Sequence, residues 1–215
     1  MAKNYTHILW DWNGTLLDDS WLCVEVLNIL LKEIDKPKIS LDDYRSNFEF
    51  PVINFYNYLG FKTDEKNFKE VSHKFIALYE ARWLRECRLR EHAFSSLEKI
   101  KSSGIHQSIL SAAHYNALNL GLSHFNLTDF FHTISGTETI YAEGKIKKAK
   151  SWMLENKLDK EEIILIGDTL HDLDVANEIG IDCALLSGGH CSKEKLATPH
   201  SPVFSSLNHL IDGIF

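Results

Sequence analysis

The chain has 215 residues and a formal net charge of −7, with 44% hydrophobic and 25% charged residues. That length buries a sizeable apolar core as one α/β domain carrying an insertion, or as two small domains. An acidic balance without a Lys/Arg stripe argues against a phosphate-backbone surface, so no nucleic-acid partner is expected.

The four cysteines, Cys23, Cys87, Cys183 and Cys191, form no C-x-x-C pair and no zinc-like spacing. They read as buried or incidental thiols of a reducing compartment. The first residues run straight into a strand-like segment without a leader pattern, and no stretch reaches the roughly 18 uninterrupted apolar residues of a spanning helix. A cytoplasmic protein with no membrane partner, monomeric or homodimeric, is the expectation. The dense basic run Lys145, Lys147, Lys148 and Lys150 reads first as the solvated turns of a helix.

In chain order, residues 7–12 form a short apolar run stopped by Gly14, the pattern of a buried parallel strand and a tight turn. From Ser20 to Ile34, Leu22, Val26, Leu27, Leu30 and Leu31 recur at helical spacing. Pro37 closes that helix, Ser40 caps a short one through Phe48, and Pro51 opens another that ends before Gly60. A longer helix is predicted from about Asp64 to Glu86, with Phe68, Val71, Phe75, Ile76, Tyr79 and Trp83 on its apolar side. Residues 20–86 thus read as an inserted helical unit.

Beyond it, strand and helix alternate. A helix carrying Phe94, Leu97 and Ile100 precedes the strand "IHQSIL" ending at Ser111, and a further helix leads to "FFHTIS". After Lys145 come a helix with Ala149, Trp152 and Met153, the strand "EIILIGD", a helix from about Leu173 to Ile179, and the strand "CALLSGG". This alternation predicts a Rossmann-like α/β fold, a mostly parallel sheet that also takes in the first strand.

In such a sheet the crevice lies at the carboxyl ends of the strands. The first strand ends at Asp11, another at Ser111, and "IILIG" at Asp168 with Asp172 four residues on. Singly these are ordinary caps. Together, carboxylates repel unless a cation joins them, and oxygen ligands point to Mg2+.

The segments "ILWDWNGTLLDD", "ILSAA", a lysine ahead of the next helix, and "ILIGDTLHD" resemble, in order and interval, the four motifs of the haloacid dehalogenase superfamily. The resemblance covers about residues 4–18 and 88–215 and is most similar to the phosphoglycolate phosphatase-like hydrolases. It implies a core of residues 1–19 and 87–215 and a helical cap of the first type over residues 20–86. The implied activity is Mg2+-dependent hydrolysis of a small phosphorylated metabolite through an aspartyl phosphate on Asp11. The implied metal ligands are Asp11, the Asn13 carbonyl, Asp168 and Asp172. Thr15, Ser111, Ala112 and Lys145 are assigned to the phosphoryl group. Lys145, 23 residues ahead of Asp168, matches the family register, with Lys147 and Lys148 as alternatives.

The sequence departs from that pattern at Asn13, where the family usually carries an acid that protonates the leaving oxygen. An amide cannot exchange that proton, and losing a positioned acid costs roughly 10²- to 10⁴-fold in rate. The loss suits a phosphatase in which another group serves or whose substrate needs little help in leaving, or a module that binds a phosphorylated ligand without turning it over. Asp18 and Asp19 are the nearest replacements, at least one of them a helix cap, whereas His114 and His190 read as solvated loop side chains. A phosphonatase lacks support, because "YRSNFEFPVINFYNYLG" offers no lysine. Dehalogenase and mutase chemistry fit poorly with the acid pair of "GDTLHD" and with Asn13. Specificity is expected on "NFEFP" at 47–51, with Phe50 and Phe55 as core of the helical unit.

Overall fold

The computed structural model describes residues 4–142, 144–198 and 201–215. The elements, in order, are β1 (His7–Trp10), β2 (Leu17–Asp18), α1 (Ser20–Glu33), α2 (Leu41–Asn47), α3 (Val52–Tyr58), α4 (Glu65–Glu80), α5 (Trp83–Glu86) and β3 (Arg88–Leu89). They continue with α6 (Ala93–Ser102), β4 (His106–His114), α7 (Tyr115–His124), β5 (Ile134–Thr137), α8 (Lys145–Asn156) and β6 (Ile163–Gly167). The last are α9 (Leu170–Ile179), β7 (Asp182–Leu186), α10 (Lys193–Leu196), β8 (Val203–Phe204) and α11 (Leu207–Ile214). Six strands form one parallel sheet in the order β5-β4-β1-β6-β7-β8.

The uninterrupted apolar character of β1 and β6 follows from this order, because both are interior strands buried along their whole length. The sheet is flanked by helices, with α8 packed on α9 and α6 on α11. Strand β1 lies between β4 and β6, with Trp10 opposite Ile109 and Ile166. The order therefore reverses around β1, and the crevice at its carboxyl end is where a ligand site is expected in an open α/β sheet.

The helical segment α1–α5 leaves and rejoins the core through a two-stranded antiparallel ribbon, Leu17 opposite Leu89 and Asp18 opposite Arg88. Helix α1 buries the predicted stripe Leu22, Val26, Leu27, Leu30 and Leu31. Helix α2 starts as expected at Ser40, in a capping box with Asp43.

Three local predictions change. The single helix over 64–86 is broken at Ala81 and Arg82. The break lets Trp83 turn inward, where it packs so closely on Gly121 that a Cβ there would lie 2.6 Å from the indole ring. Strand β4 passes Ser111 and continues to His114, after a register irregularity beyond Leu110. Pairing of His114 with Thr137 extends it. Helix α9 begins at Leu170 rather than Leu173, because Asp172 and Thr169 form a capping box.

At the opposite, amino end of the sheet, His7 is buried and shares a hydrogen bond of 2.9 Å with Ser108. Its ring lies 6.0 Å from His106, 6.4 Å from His132 and 5.0 Å from Trp152. Burial, then His106 and His132, push its pKa down to about 4. Below an unfolded pKa of about 6.5 the unfolded chain binds the proton that the folded chain refuses. The stability contributed is complete above that value and is lost as pH falls toward 4. Thermal unfolding followed from pH 7.5 to 4 should show a falling midpoint, and His7→Gln should flatten part of the fall. An unchanged slope in the variant would remove His7 as a cause.

Candidate active site

The loop after β1 turns sharply. Trp12 O accepts from the backbone N–H groups of Thr15, Leu16 and Leu17, and Gly14 N donates to Leu17 O. Asp11 N donates to Ile166 O, so Asp11 lies beside the end of β6, where Asp168 follows. Glycines make room for Asp168: a Cβ on Gly14 (φ +74°) or on Gly189 would lie 2.2 Å from its Oδ2. That oxygen accepts from His190 N at 2.5 Å, and Oδ1 accepts from Thr15 Oγ1 at 3.0 Å.

Asp11, Asp168 and Asp172 are all buried, each with an oxygen within 4.8 Å of one on the others. Lys145, the first residue of α8, places its buried ammonium between them, donating to Asp11 Oδ1 and, at 2.5 Å, to Asp172 Oδ1. The remaining oxygen of Asp172 accepts from Thr169 N and Oγ1 at 3.0 and 2.7 Å. Burial pushes the Asp11 carboxyl up to about 7; Lys145 opposes this, and Asp172 and Asp168 add to it. Burial also works against the charged form of Lys145, but Asp11 and Asp172 outweigh it and hold the ammonium above its ordinary range.

An all-oxygen set of three carboxylates facing one another fits a hard divalent cation. It is less suited to standing alone, since one ammonium leaves the cluster net negative. A cation at this point would oppose both the burial and the like charges that hold the Asp11 carboxyl up.

Of the three lysines, Lys145 is the one in the cluster; Lys147 is exposed and Lys148 pairs with Glu138 at 3.0 Å. Ser111 and Ala112 line the cavity above Asp11, and Ser111 Oγ accepts from Ala113 N at 3.1 Å. Thr15, grouped by sequence with the phosphoryl-binding residues, is fully buried. Its hydroxyl is directed at Asp168 and, at 3.4 Å, Asp11, so it braces the carboxylates from beneath.

Asn13 Nδ2 donates to Asp19 Oδ2 at 2.7 Å and to Tyr79 Oη at 3.2 Å. Asp19 occupies the N-cap position of α1, but its side chain makes no capping bond there. It is buried and accepts from Tyr79 Oη at 2.6 Å and Gly14 N at 2.9 Å, with His190 Nε2 3.3 Å away. Burial opposes its charge, but His190, Tyr79 and Asn13 overcome this and hold it ionised.

His190, expected to be solvated, is buried between Asp19 and Tyr44 Oη, the latter at 2.8 Å. Burial pulls its pKa down, yet Asp19, then Asp168 and Asp11, raise it to about 9. Asp18 is exposed, and His114 caps α7 by accepting from Asn116 N. The Asp19–His190 pair is thus the part of the site that sequence reasoning undervalued.

Above the carboxylates lies a cavity of about 200 Å3. Helix α4 explains its far wall. Only Val71 and Ser72 of this helix are buried, while Phe68, Phe75, Ile76 and Tyr79 from its predicted apolar stripe face the cavity. Phe48 and Phe50 of the "NFEFP" stretch also line it, as does Phe55, and Phe50 stacks on His171 at 4.6 Å.

A family model for haloacid dehalogenase-like hydrolases matches residues 8–186. A comparison with curated proteins gives no match. Among solved structures, a predicted phosphatase from Clostridium acetobutylicum superposes with a TM-score of 0.83 at 21% identity, covering 98% of each chain. A haloacid dehalogenase-like hydrolase from Bacteroides fragilis gives 0.84 at 20%, over 96% of this chain and 100% of that one. A predicted phosphoglycolate phosphatase from Haemophilus somnus gives 0.77 at 17%, over 98% of each. At these identities the likeness concerns the fold.

Removing Lys145 strands two buried carboxylates. Lys145→Met should cost about 3–5 kcal/mol, the range for breaking a buried pair, measured by denaturant unfolding without divalent cations. Saturating divalent cation should recover more stability in that variant than in the parent. Equal recovery in both would mean that cation and ammonium do not share the same carboxylates.

Proposed function

The chain belongs to the haloacid dehalogenase-like hydrolases, and on that premise we propose that it is a Mg2+-dependent phosphatase acting on a small phosphorylated metabolite. The observation that carries the reading is the convergence of Asp11, Asp168, Asp172 and Lys145 on one end of one cavity.

Asp11 is the nucleophile. Its carboxylate oxygen attacks phosphorus, the ester bond breaks, and the leaving oxygen departs with the bonding pair; water then attacks the aspartyl phosphate and releases phosphate. Asp11, Asp168, Asp172 and the Asn13 carbonyl would hold Mg2+, which would supply charge neutralisation to the phosphoryl oxygens. Ser111 and Ala112 position those oxygens, and Lys145 offsets their charge while keeping Asp11 directed at phosphorus. Residues 20–86 act as a cap over residues 1–19 and 87–215, excluding bulk water from the reaction. Polar contacts support this closure: Arg45 donates to Gly188 O and Gly189 O, and Tyr79 to Asp19.

Asn13 has no proton to give, and its amide is engaged with Asp19 and Tyr79. Leaving groups that depart without help should be favoured. The same observation supports a second reading, a module that binds a phosphorylated ligand without turnover, since an amide beside the phosphate removes one repelling charge.

Phosphate release measured on an activated aryl phosphate and on alkyl phosphates separates the two. Release is expected to require Mg2+ and to vanish in Asp11→Asn, with aryl esters faster by roughly 10² or more, the usual worth of a positioned acid. Asn13→Asp should narrow that gap. It brings a carboxyl next to Asp19, whose like charge raises its pKa and favours the protonated form. No release from any ester, with Mg2+ bound, would favour the binding module.

A further inference from the structure

Taking the phosphatase reading as its basis, we infer that the natural leaving group is a small, uncharged aromatic alcohol, so that the substrate is an aryl phosphate monoester. Among the described residues lining the cavity, Lys145 is the one lysine or arginine. Its ammonium is already divided between Asp11 and Asp172. A substrate with a second anionic group, such as a carboxylate or another phosphate, finds no unpaired cation, because the other positive group in the wall, the His190 imidazole, is already engaged by Asp19 and Tyr44. It finds instead the carboxylates of Asp19 and Glu80 in the wall, and burying an unpaired charge there is costly.

What the wall offers is flat apolar surface. Phe75, Tyr79 and Trp83 recur four residues apart, with neighbouring rings 6.0 and 6.1 Å apart and within 14° of parallel. Phe48 and Phe50 line the same cavity from the α2–α3 connection. The Tyr79 hydroxyl, which could have served a sugar hydroxyl, is spent on Asp19. The volume of about 200 Å3 exceeds the roughly 150 Å3 that holds one benzene, leaving space for a ring and a phosphoryl group.

Asn13 points the same way by a separate route. A phenol ionises near pH 10, several units below an aliphatic alcohol, so a phenolate leaves without the proton that Asn13 cannot supply. Aromatic wall and missing acid thus select one class of substrate, the first through binding and the second through the chemical step.

Because aryl esters are intrinsically more reactive, the test is binding of non-hydrolysable phosphonates to the intact protein with saturating Mg2+, by calorimetry. Phenylphosphonate should bind at least about tenfold more tightly than phosphonoacetate, the factor for burying one ring. Phe50→Ser should weaken phenylphosphonate without weakening phosphonoacetate. Phe50→Arg, which adds a cation to the wall, should bring phosphonoacetate into range. Phosphonoacetate binding as tightly as phenylphosphonate in the unaltered protein would overturn the aryl assignment while leaving the phosphatase reading in place. Failure of both phosphonates and of inorganic phosphate to bind would overturn the reading and the assignment together.

Discussion

Three carboxylates, those of Asp11, Asp168 and Asp172, lie buried against one another, and the Lys145 ammonium is shared between two of them. Burying such a group is costly unless each charge is met, and the surrounding chain is arranged to meet them. Asp168 takes a backbone N–H from His190 and the hydroxyl of Thr15, and Asp172 takes both donors of Thr169. Gly14 and Gly189 lack side chains where Asp168 needs the space. The parallel sheet is the frame that makes this possible. Two adjacent strands, β1 and β6, deliver Asp11 and Asp168 side by side, and the first turn of α8 brings Lys145 in from a third direction.

The same charge problem links the helical segment to the sheet. Asp19, at the start of that segment, is buried and ionised, and its partners come from both sides: Gly14 and His190 from the core, Tyr79 from α4. Tyr44 and Arg45 of α2 add contacts to His190 and to the carbonyls of Gly188 and Gly189. These polar contacts gather around the site, while the aromatic faces of α4 and of the α2–α3 connection line the cavity above it. Separating helices from sheet therefore breaks hydrogen bonds next to the carboxylates and exposes aromatic surface. Any ligand that fills the cavity and touches both of its walls adds to that cost, which favours the closed arrangement.

The fold and the carboxylate cluster were legible because both depend on short-range patterns. A strand that is buried on both faces has an apolar run of a few residues, and the acid that follows it marks the strand end. Asp11 and Asp168 are found this way, Asp172 by its place four residues after Asp168, and Lys145 by its register ahead of Asp168. Membership of the hydrolase family bears out the motif resemblance. The pair Asp19–His190 was not legible, since its members lie 171 residues apart in sequence and each has an ordinary local explanation. Asp19 directly precedes a helix, as a cap does, yet its oxygens turn back toward Gly14. The stripe on α4 was legible as apolar, but periodicity cannot say whether an apolar face meets other side chains or a cavity. Val71 does the first, whereas Phe68, Phe75 and Tyr79 do the second.

Asn13 and Asp19 are best understood as one unit. An ionised Asp19 needs donors, and it receives them from Gly14 N, Tyr79 Oη and the Asn13 amide. An acid at position 13 could give Asp19 a hydrogen bond only while protonated, and on ionising would face it as a like charge. The amide donates in every protonation state, so the turn between β1 and α1 keeps its shape at any pH at which Asp19 is charged. That fixes the shape of the turn that follows Asp11, and it leaves position 13 without an exchangeable proton. A site built this way gains a steady frame beside the carboxylates and gives up a titratable group. Its range is then set by what the cavity above it admits.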